Sequence, residues 1–418
     1  MDVATEKNKG RPPKIPFALA AVALLIATTQ IKRYLPVSAV AFYHDPTIVD
    51  GKASLVNPLV DPELTAHAVG CLRLSKPDIP DSIQYPSDAF AHYQDIHLRL
   101  SEWTQKEGHV PHNVGNFKGP WIENRFISSF QPRILDAASL AWNFGAYIPI
   151  FVPWTDIYVK SGEWSYPPSL IQILLSALRH DALYIIVNQN DDGFPGRCTE
   201  LIELQERYHI TTISSGGWGH VAMPLLKQEE QIGDKQPISE REHVFSFVGN
   251  IKSAPNSLRH KAIDEEQVFH YHGGDWQSVM RSSKFSLAPR GYGRTSYRLS
   301  EVMQQGLIPI EIYQDGDESW TPYGSMLNDY VYVVSIDGLH ELIEELKNKS
   351  DAEISVMESK IESLREDYFT YGGILEQIRL FLTEPSRSAL TCRKLPQTSG
   401  TTDSFRWPRG HQCIKTST

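Results

Sequence analysis

Cysteine is scarce in this 418-residue chain: Cys71, Cys198, Cys392 and Cys413 are the whole set. None is spaced C-x-x-C, which removes the usual zinc-finger and dithiol redox motifs. The 15 histidines are scattered, with no H-E-x-x-H pair to seat a catalytic metal. An excess of basic charge is missing as well. Forty Lys and Arg against 50 Asp and Glu leave a net charge of −10, a surface that repels a polyanion and excludes nucleic acid as the expected partner. Compositional bias is absent over most of the length, with 41% hydrophobic and 22% charged residues, so the chain reads as globular and long enough for more than one core. Cys392 and Cys413 bracket a polar tail and would close it as a disulfide in an oxidising compartment. Unpaired thiols fit the sequence equally.

Long apolar runs are also lacking, with one exception. Ile15 to Ile31 is preceded by Lys7, Lys9, Arg11 and Lys14 and followed by Lys32 and Arg33. The run is at the short limit for a bilayer span. Its heavier basic flank lies on the N-terminal side, which favours a cytoplasmic tail over 1–14 and a lumenal body. A cleaved signal peptide is the competing reading, but Gln30, Lys32, Arg33 and Tyr34 offer no small-x-small cleavage site. Residues 32–70, with Pro36, Pro46, Pro58 and Pro62 and no sustained period, read as a stem.

Beyond the stem the pattern alternates. Apolar strands are expected at Tyr147–Pro153, Ala182–Val187 and Ile210–Ile213, with helices at Ser169–His180 and Glu200–Tyr208 between them. A polar break over 227–242 precedes a second series. Strands are expected at Val244–Val248, Val268–Tyr271, Phe285–Ala288, Leu307–Ile312 and Tyr330–Val334, again separated by helices. Alternation of this kind predicts parallel, doubly wound sheets. The boundaries drawn are 71–235 and 243–350 for two such domains, 351–383 for C-terminal helices and 384–418 for a flexible tail. Ser350 and Glu353 form a capping box at the first of these helices.

Ligands of parallel sheets sit beyond the carboxyl ends of the strands. One strand end leads through Arg290-Gly291-Tyr292-Gly293-Arg294-Thr295-Ser296-Tyr297-Arg298 into a helix. Glycines admit close approach, amides at a helix start attract anions, and Arg290 and Arg298 bring forked donors suited to phosphate. Glu301 shares a helix face with Arg298 and can accept ribose hydroxyls, or simply pair with that arginine. Asp191-Asp192-Gly193 reads as a turn. Trp154, Trp218 and Trp320 are candidates for stacking on sugars or for packing.

The runs Ser283-Lys284-Phe285-Ser286-Leu287-Ala288-Pro289-Arg290-Gly291, Ser296-Tyr297-Arg298-Leu299-Ser300-Glu301-Val302 and Gly306-Leu307-Ile308-Pro309-Ile310 resemble, in order, motifs of the exostosin family of glycosyltransferases. Phe245 to Gly249 with Arg259, His220 to Pro224, and Pro322-Tyr323 extend the resemblance over roughly 145–350. Ser286 and Leu307 stand where members usually carry cysteine, and His220 where they carry aspartate. The resemblance implies a GT-B architecture, two Rossmann-like domains facing across a cleft. It implies a nucleotide-sugar donor, usually a UDP-sugar, on the second domain and a glycan or glycoprotein acceptor on the first. Transfer would invert the anomeric centre. Arg290, Gly291, Ser296, Arg298 and Glu301 would bind the donor, Asp156 or His220 would act as base, and no cofactor or metal would be needed. The chain would be a single-pass type II protein of the Golgi membrane, with homo- or hetero-oligomers compatible with the sequence. Two alternatives are weighed against this. Asp315-Gly316-Asp317 is a D-x-D triplet of the kind that chelates Mn²⁺ in single-domain transferases. A non-catalytic glycan-binding subunit would retain the same fold.

The flanking charges and the sequon Asn348-Lys349-Ser350 generate one expectation. Full-length protein expressed in a eukaryotic secretory system should resist carbonate extraction and lose mass on removal of N-glycans. A soluble, N-terminally trimmed main product would instead indicate a cleaved signal.

Overall fold

The computed structural model describes residues 59–396 apart from 82, 108–118, 161–165, 197, 266 and 315–318. The expected tail and anchor (1–31), most of the stem, the Asp315–Asp317 triplet, Cys413 and the end of the tail lie outside the described residues. Among the described residues no helix is long and apolar enough to cross a membrane.

Helices α1 (Pro62–Arg73), α2 (Ala89–Glu107), α3 (Ile122–Phe130) and α4 (Ala137–Phe144) come first. Then follow β1 (Tyr147–Pro149), α5 (Trp154–Lys160), α6 (Pro168–Ala177), β2 (Leu183–Asn188), α7 (Thr199–Arg207), β3 (His209–Ser214) and β4 (Val221–Ala222). The second series is β5 (His243–Val248), α8 (Leu258–Ile263), β6 (Val268–Tyr271), α9 (Trp276–Arg281), β7 (Ser283–Pro289), α10 (Tyr297–Gln304), β8 (Ile308–Tyr313), β9 (Tyr332–Ser335) and α11 (Leu339–Leu346). Helices α12 (Asp351–Tyr368) and α13 (Tyr371–Thr383) follow. The α/β expectation is met: both sheets are parallel throughout, one ordered β1-β2-β3-β4 and the other β6-β5-β7-β8-β9.

Strand order in the second sheet creates a place for a ligand. After β6 the chain returns to the opposite side of β5 to make β7, so the order reverses between β5 and β7. That reversal opens a crevice at the carboxyl ends of the two strands. Strands β5, β7 and β8 are buried on both faces, as covered parallel sheets require: Phe245, Phe247, Phe285, Leu287, Ile308, Ile310 and Ile312 fill one face, and Ser246, Val248, Ser286, Ala288 and Glu311 are buried on the other. Beneath them Arg241 bonds both oxygens of Glu358 on α12, at 2.6 and 3.0 Å, and Lys235 joins the same carboxylate at 3.0 Å. Breaking such a buried pair leaves an uncompensated charge, so it fixes α12 against the sheet.

Three expectations are corrected by the structure. Residues 62–70 are not stem but the body of α1, which begins with Asp61 accepting the Glu63 N–H at 2.9 Å and Pro62 at the first helical position. Proline there starts a helix rather than breaking one, and Ala68, Val69, Cys71 and Leu72 enter the core. Cys392 pairs with Cys71, not with Cys413. The segment after α13 is packed rather than loose: Leu390 is buried, the Arg393 N–H donates to His220 O at 2.7 Å, and the Leu395 N–H donates to Ser75 Oγ at 2.7 Å. These contacts carry Cys392 alongside β4 and against α1. Cys198 is disulfide-bonded too.

Candidate functional site

A cavity of about 750 Å³ lies at the carboxyl ends of both sheets. One wall is the second sheet's crevice: Phe247, Val248 and Gly249 at the end of β5, Arg259 on α8, and residues 291–293 and 295–298 with Glu301 on α10. Facing it are Trp121 before α3, Thr155 and Tyr158 on α5, and Gln189 to Asp192 after β2.

The loop between β7 and α10 is closed by its own bonds. The Gly291 N–H donates to Thr295 O at 2.8 Å, and Arg290 donates from Nε to Gly293 O at 3.0 Å and from Nη2 to Tyr292 O at 3.1 Å. Ser296 caps α10, accepting the Arg298 N–H at 3.2 Å. Arg259 binds the same loop from outside, donating to Arg290 O (3.1 Å), Pro289 O (3.3 Å) and Asn250 O (2.7 Å). Burial, with Arg298 nearby, brings the Arg259 guanidinium down to about 10. Arg298 lies over the Trp276 ring at 4.6 Å and 2.7 Å from Glu301 Oε2. That approach is an ion pair without hydrogen-bond alignment. Burial raises the Glu301 carboxyl while Arg298 opposes the shift.

The sequence-expected residues separate into two groups. Gly291, Ser296, Arg298 and Glu301 come together on the cavity wall. Arg290 does not line it: its buried guanidinium folds the loop that carries Gly291 and Ser296 and leads into α10. Asp156 sits behind the opposite wall, its carboxylate oxygens accepting from Trp121 Nε1–H and Asn124 Nδ2–H, both at 2.8 Å. His220 is not at the cavity. Its Nδ1 accepts the Thr212 N–H at 3.1 Å, and burial, then Lys76, lowers its pKa to about 3. With Nδ1 occupied as an acceptor the ring proton resides on Nε2, and the residue serves the β3–β4 connection instead of accepting protons. Trp154 and Trp320 are fully enclosed, and Trp218 is buried beside Phe194.

Other residues of the site were missed. Trp121, not one of the three tryptophans considered, is the one on the wall. Glu123 is wholly buried behind it, accepting from Thr155 Oγ1 at 2.9 Å and from the Gln189 N–H at 2.7 Å. Burial raises it to about 8 against those bonds. Asp191 and Asp192, read as a turn, do turn, but they also face the cavity, and Tyr158 OH donates to Asp192 Oδ2. A signal was present, because the pair follows β2 at its carboxyl end, the same position that singled out the loop at 290.

The two walls meet through backbone. A Cβ on Gly293 would overlap Gly216 O and Asp191 Oδ1, and one on Gly217 would press on the Arg294 backbone at 2.7 Å. Gly293→Ala should therefore displace the loop and lower the melting temperature. Gly274→Ala, where a Cβ meets nothing within 4 Å, should not. An unaltered melting temperature of the Gly293 variant would contradict this packing.

Among known structures the chain is similar to WaaG, a glycosyltransferase involved in lipopolysaccharide biosynthesis (12% identity, TM-score 0.28, 48% of this chain and 63% of that one). It is similar to TarM (8%, 0.30, 51% and 52%) and to the pneumococcal O-GlcNAc transferase GtfA solved with UDP and GlcNAc (12%, 0.25, 49% and 46%). Less than two thirds of each of these structures is spanned, and scores this low carry no weight beyond the strands already described. No curated protein matches the sequence. The family model for the Exostosin GT47 domain does: it matches residues 201–348, from α7 through the whole second sheet.

Proposed function

We propose that the chain is an inverting glycosyltransferase that moves a sugar from a nucleotide-sugar, a UDP-sugar by family resemblance, to a glycan or glycoprotein acceptor in the secretory pathway. The carrying observation is the convergence of Gly291, Ser296, Arg298 and Glu301 on the crevice where the second sheet reverses its strand order. In this reading the nucleotide lies along the β5–β7 crevice. Glu301 accepts a ribose hydroxyl, and Arg259 and Arg298 face the diphosphate beside the start of α10. Fixed cations in a water-poor cavity stabilise charge that develops as a diphosphate leaves. The acceptor enters from the wall of Trp121, Tyr158 and the β2 loop. The Cys71–Cys392 disulfide supports a lumenal setting, since such bonds persist in oxidising compartments. Arg290 is a positioning residue here, because its donors are spent on its own loop.

Purified full-length protein screened against nucleotide-sugars for nucleotide release tests this directly. Arg298→Ala should lower kcat/KM by about a hundredfold or more, and Glu301→Gln should weaken nucleotide binding by about 1–3 kcal/mol. Arg298→Ala, which leaves the buried Glu301 without its cation, should also lower the melting temperature without ligand, as should Arg290→Ala. Turnover should survive chelation, since arginines supply the positive charge. Nucleotide binding unchanged in both cavity variants would remove the donor site from this crevice.

A further inference from the structure

We infer that Asp191 is the general base that takes the proton of the acceptor hydroxyl, an assignment that rests on the transferase reading above. Four other carboxylates surround the cavity, and each is held by side chains. Asp156 is fixed by Trp121 and Asn124, Asp192 accepts from Tyr158, Glu123 accepts from Thr155, and Glu301 pairs with Arg298. Asp191 is placed differently. It stands at the carboxyl end of β2 on the acceptor wall, is only half-buried and opens on the cavity. Its carboxylate lies against Gly293 of the loop which, in the proposed function, carries the donor; Oδ1 fills the space a Cβ on Gly293 would need. A carboxylate at that point borders both the acceptor wall and the start of α10, between the two reactants.

Its surroundings also suit the task. Burial and the neighbouring Asp192 push the carboxyl up, Arg290 and the Gly293 N–H pull it down, and it comes to rest at about 7. The Tyr297 phenol is the remaining titratable group facing it, and burial keeps that phenol neutral. A base with a pKa near the working pH combines a populated ionised form with useful basicity. The step balances without a further reactant. The acceptor O–H breaks, its proton passes to a carboxylate oxygen of Asp191, and the oxygen's electron pair forms the bond to the anomeric carbon. The bond from that carbon to the diphosphate breaks at the same time, its pair leaving on the phosphate. The proton is lost to solvent once product departs.

Asp191→Asn is the decisive variant, since the amide keeps the carboxylate's shape against Gly293 and loses its basicity. With the nucleotide-sugar found active for the wild type, kcat should fall about 10²- to 10⁴-fold, while nucleotide affinity and melting temperature stay as in the wild type. Wild-type kcat should rise with pH through an apparent pKa near 7, and that limb should vanish in the variant. A variant with near wild-type kcat overturns the assignment. So does a loss of kcat matched by an equal loss of nucleotide affinity, which would make Asp191 a loop-positioning residue. The wild-type profile stands alone if the variant fails to fold: a flat kcat through neutral pH also overturns it. A wild type that turns over no nucleotide-sugar overturns the transferase reading itself, a result distinct from an unimpaired variant beside an active wild type.

Discussion

Backbone lies directly against backbone where the two sheets meet. Gly293 fits against Gly216 O and Asp191, and Gly217 fits against Arg294, with no room for a side chain at either glycine. Everything proposed about the site depends on that contact. It brings the loop after β7 to the ends of β2 and β3, so that residues from both sheets share one cavity. It also explains why Arg290 is turned inward. A loop of this curvature exposes its own carbonyls to the interior, and the Arg290 guanidinium satisfies those of Tyr292 and Gly293 where water cannot reach.

Charge follows from the same arrangement. The cavity wall built on the second sheet carries Arg259 and Arg298, both depressed by burial. The opposite wall carries Asp191 and Asp192, backed by Glu123, with Asp191 and Glu123 raised by burial. In the proposed function, cations on one side and carboxyls on the other give the cavity a place for an anionic leaving group and a place for proton removal, within a chain whose net charge is −10. The negative surface and the basic crevice are compatible because the arginines are enclosed, where partner geometry outweighs long-range field.

How much of this could be read from the sequence depended on local periodicity. Val268–Tyr271 emerged with the expected bounds, and Val244–Val248 and Leu307–Ile312 shifted by one residue, because short β-branched and aromatic runs between polar turns have few other conformations open to them. Ser296, Arg298 and Glu301 were legible for the same reason: cap, first turn and next turn of one helix keep fixed spacing. Residues 71–140 matched no motif, since α2 and α3 bury only narrow stripes such as Tyr93, Ile96, Leu100 and Trp103, and these become meaningful only against the β1–β2 face. The Cys71–Cys392 bond joins positions 321 residues apart, a pairing that depends on the return of the C-terminal segment to β4 and not on any spacing. His220 was chosen because it stands where the exostosin motif carries an aspartate. The ring is buried and meets Thr212 rather than the cavity.

In the proposed function a single cavity at the β5–β7 crevice receives the nucleotide. Amide hydrogen exchange of the full chain with and without a nucleoside diphosphate measures this most directly. New protection is expected at residues 247–250 and 289–301 together, with the β9 and α11 region unchanged. Protection elsewhere that spares 289–301, or none at saturating nucleotide, would contradict it.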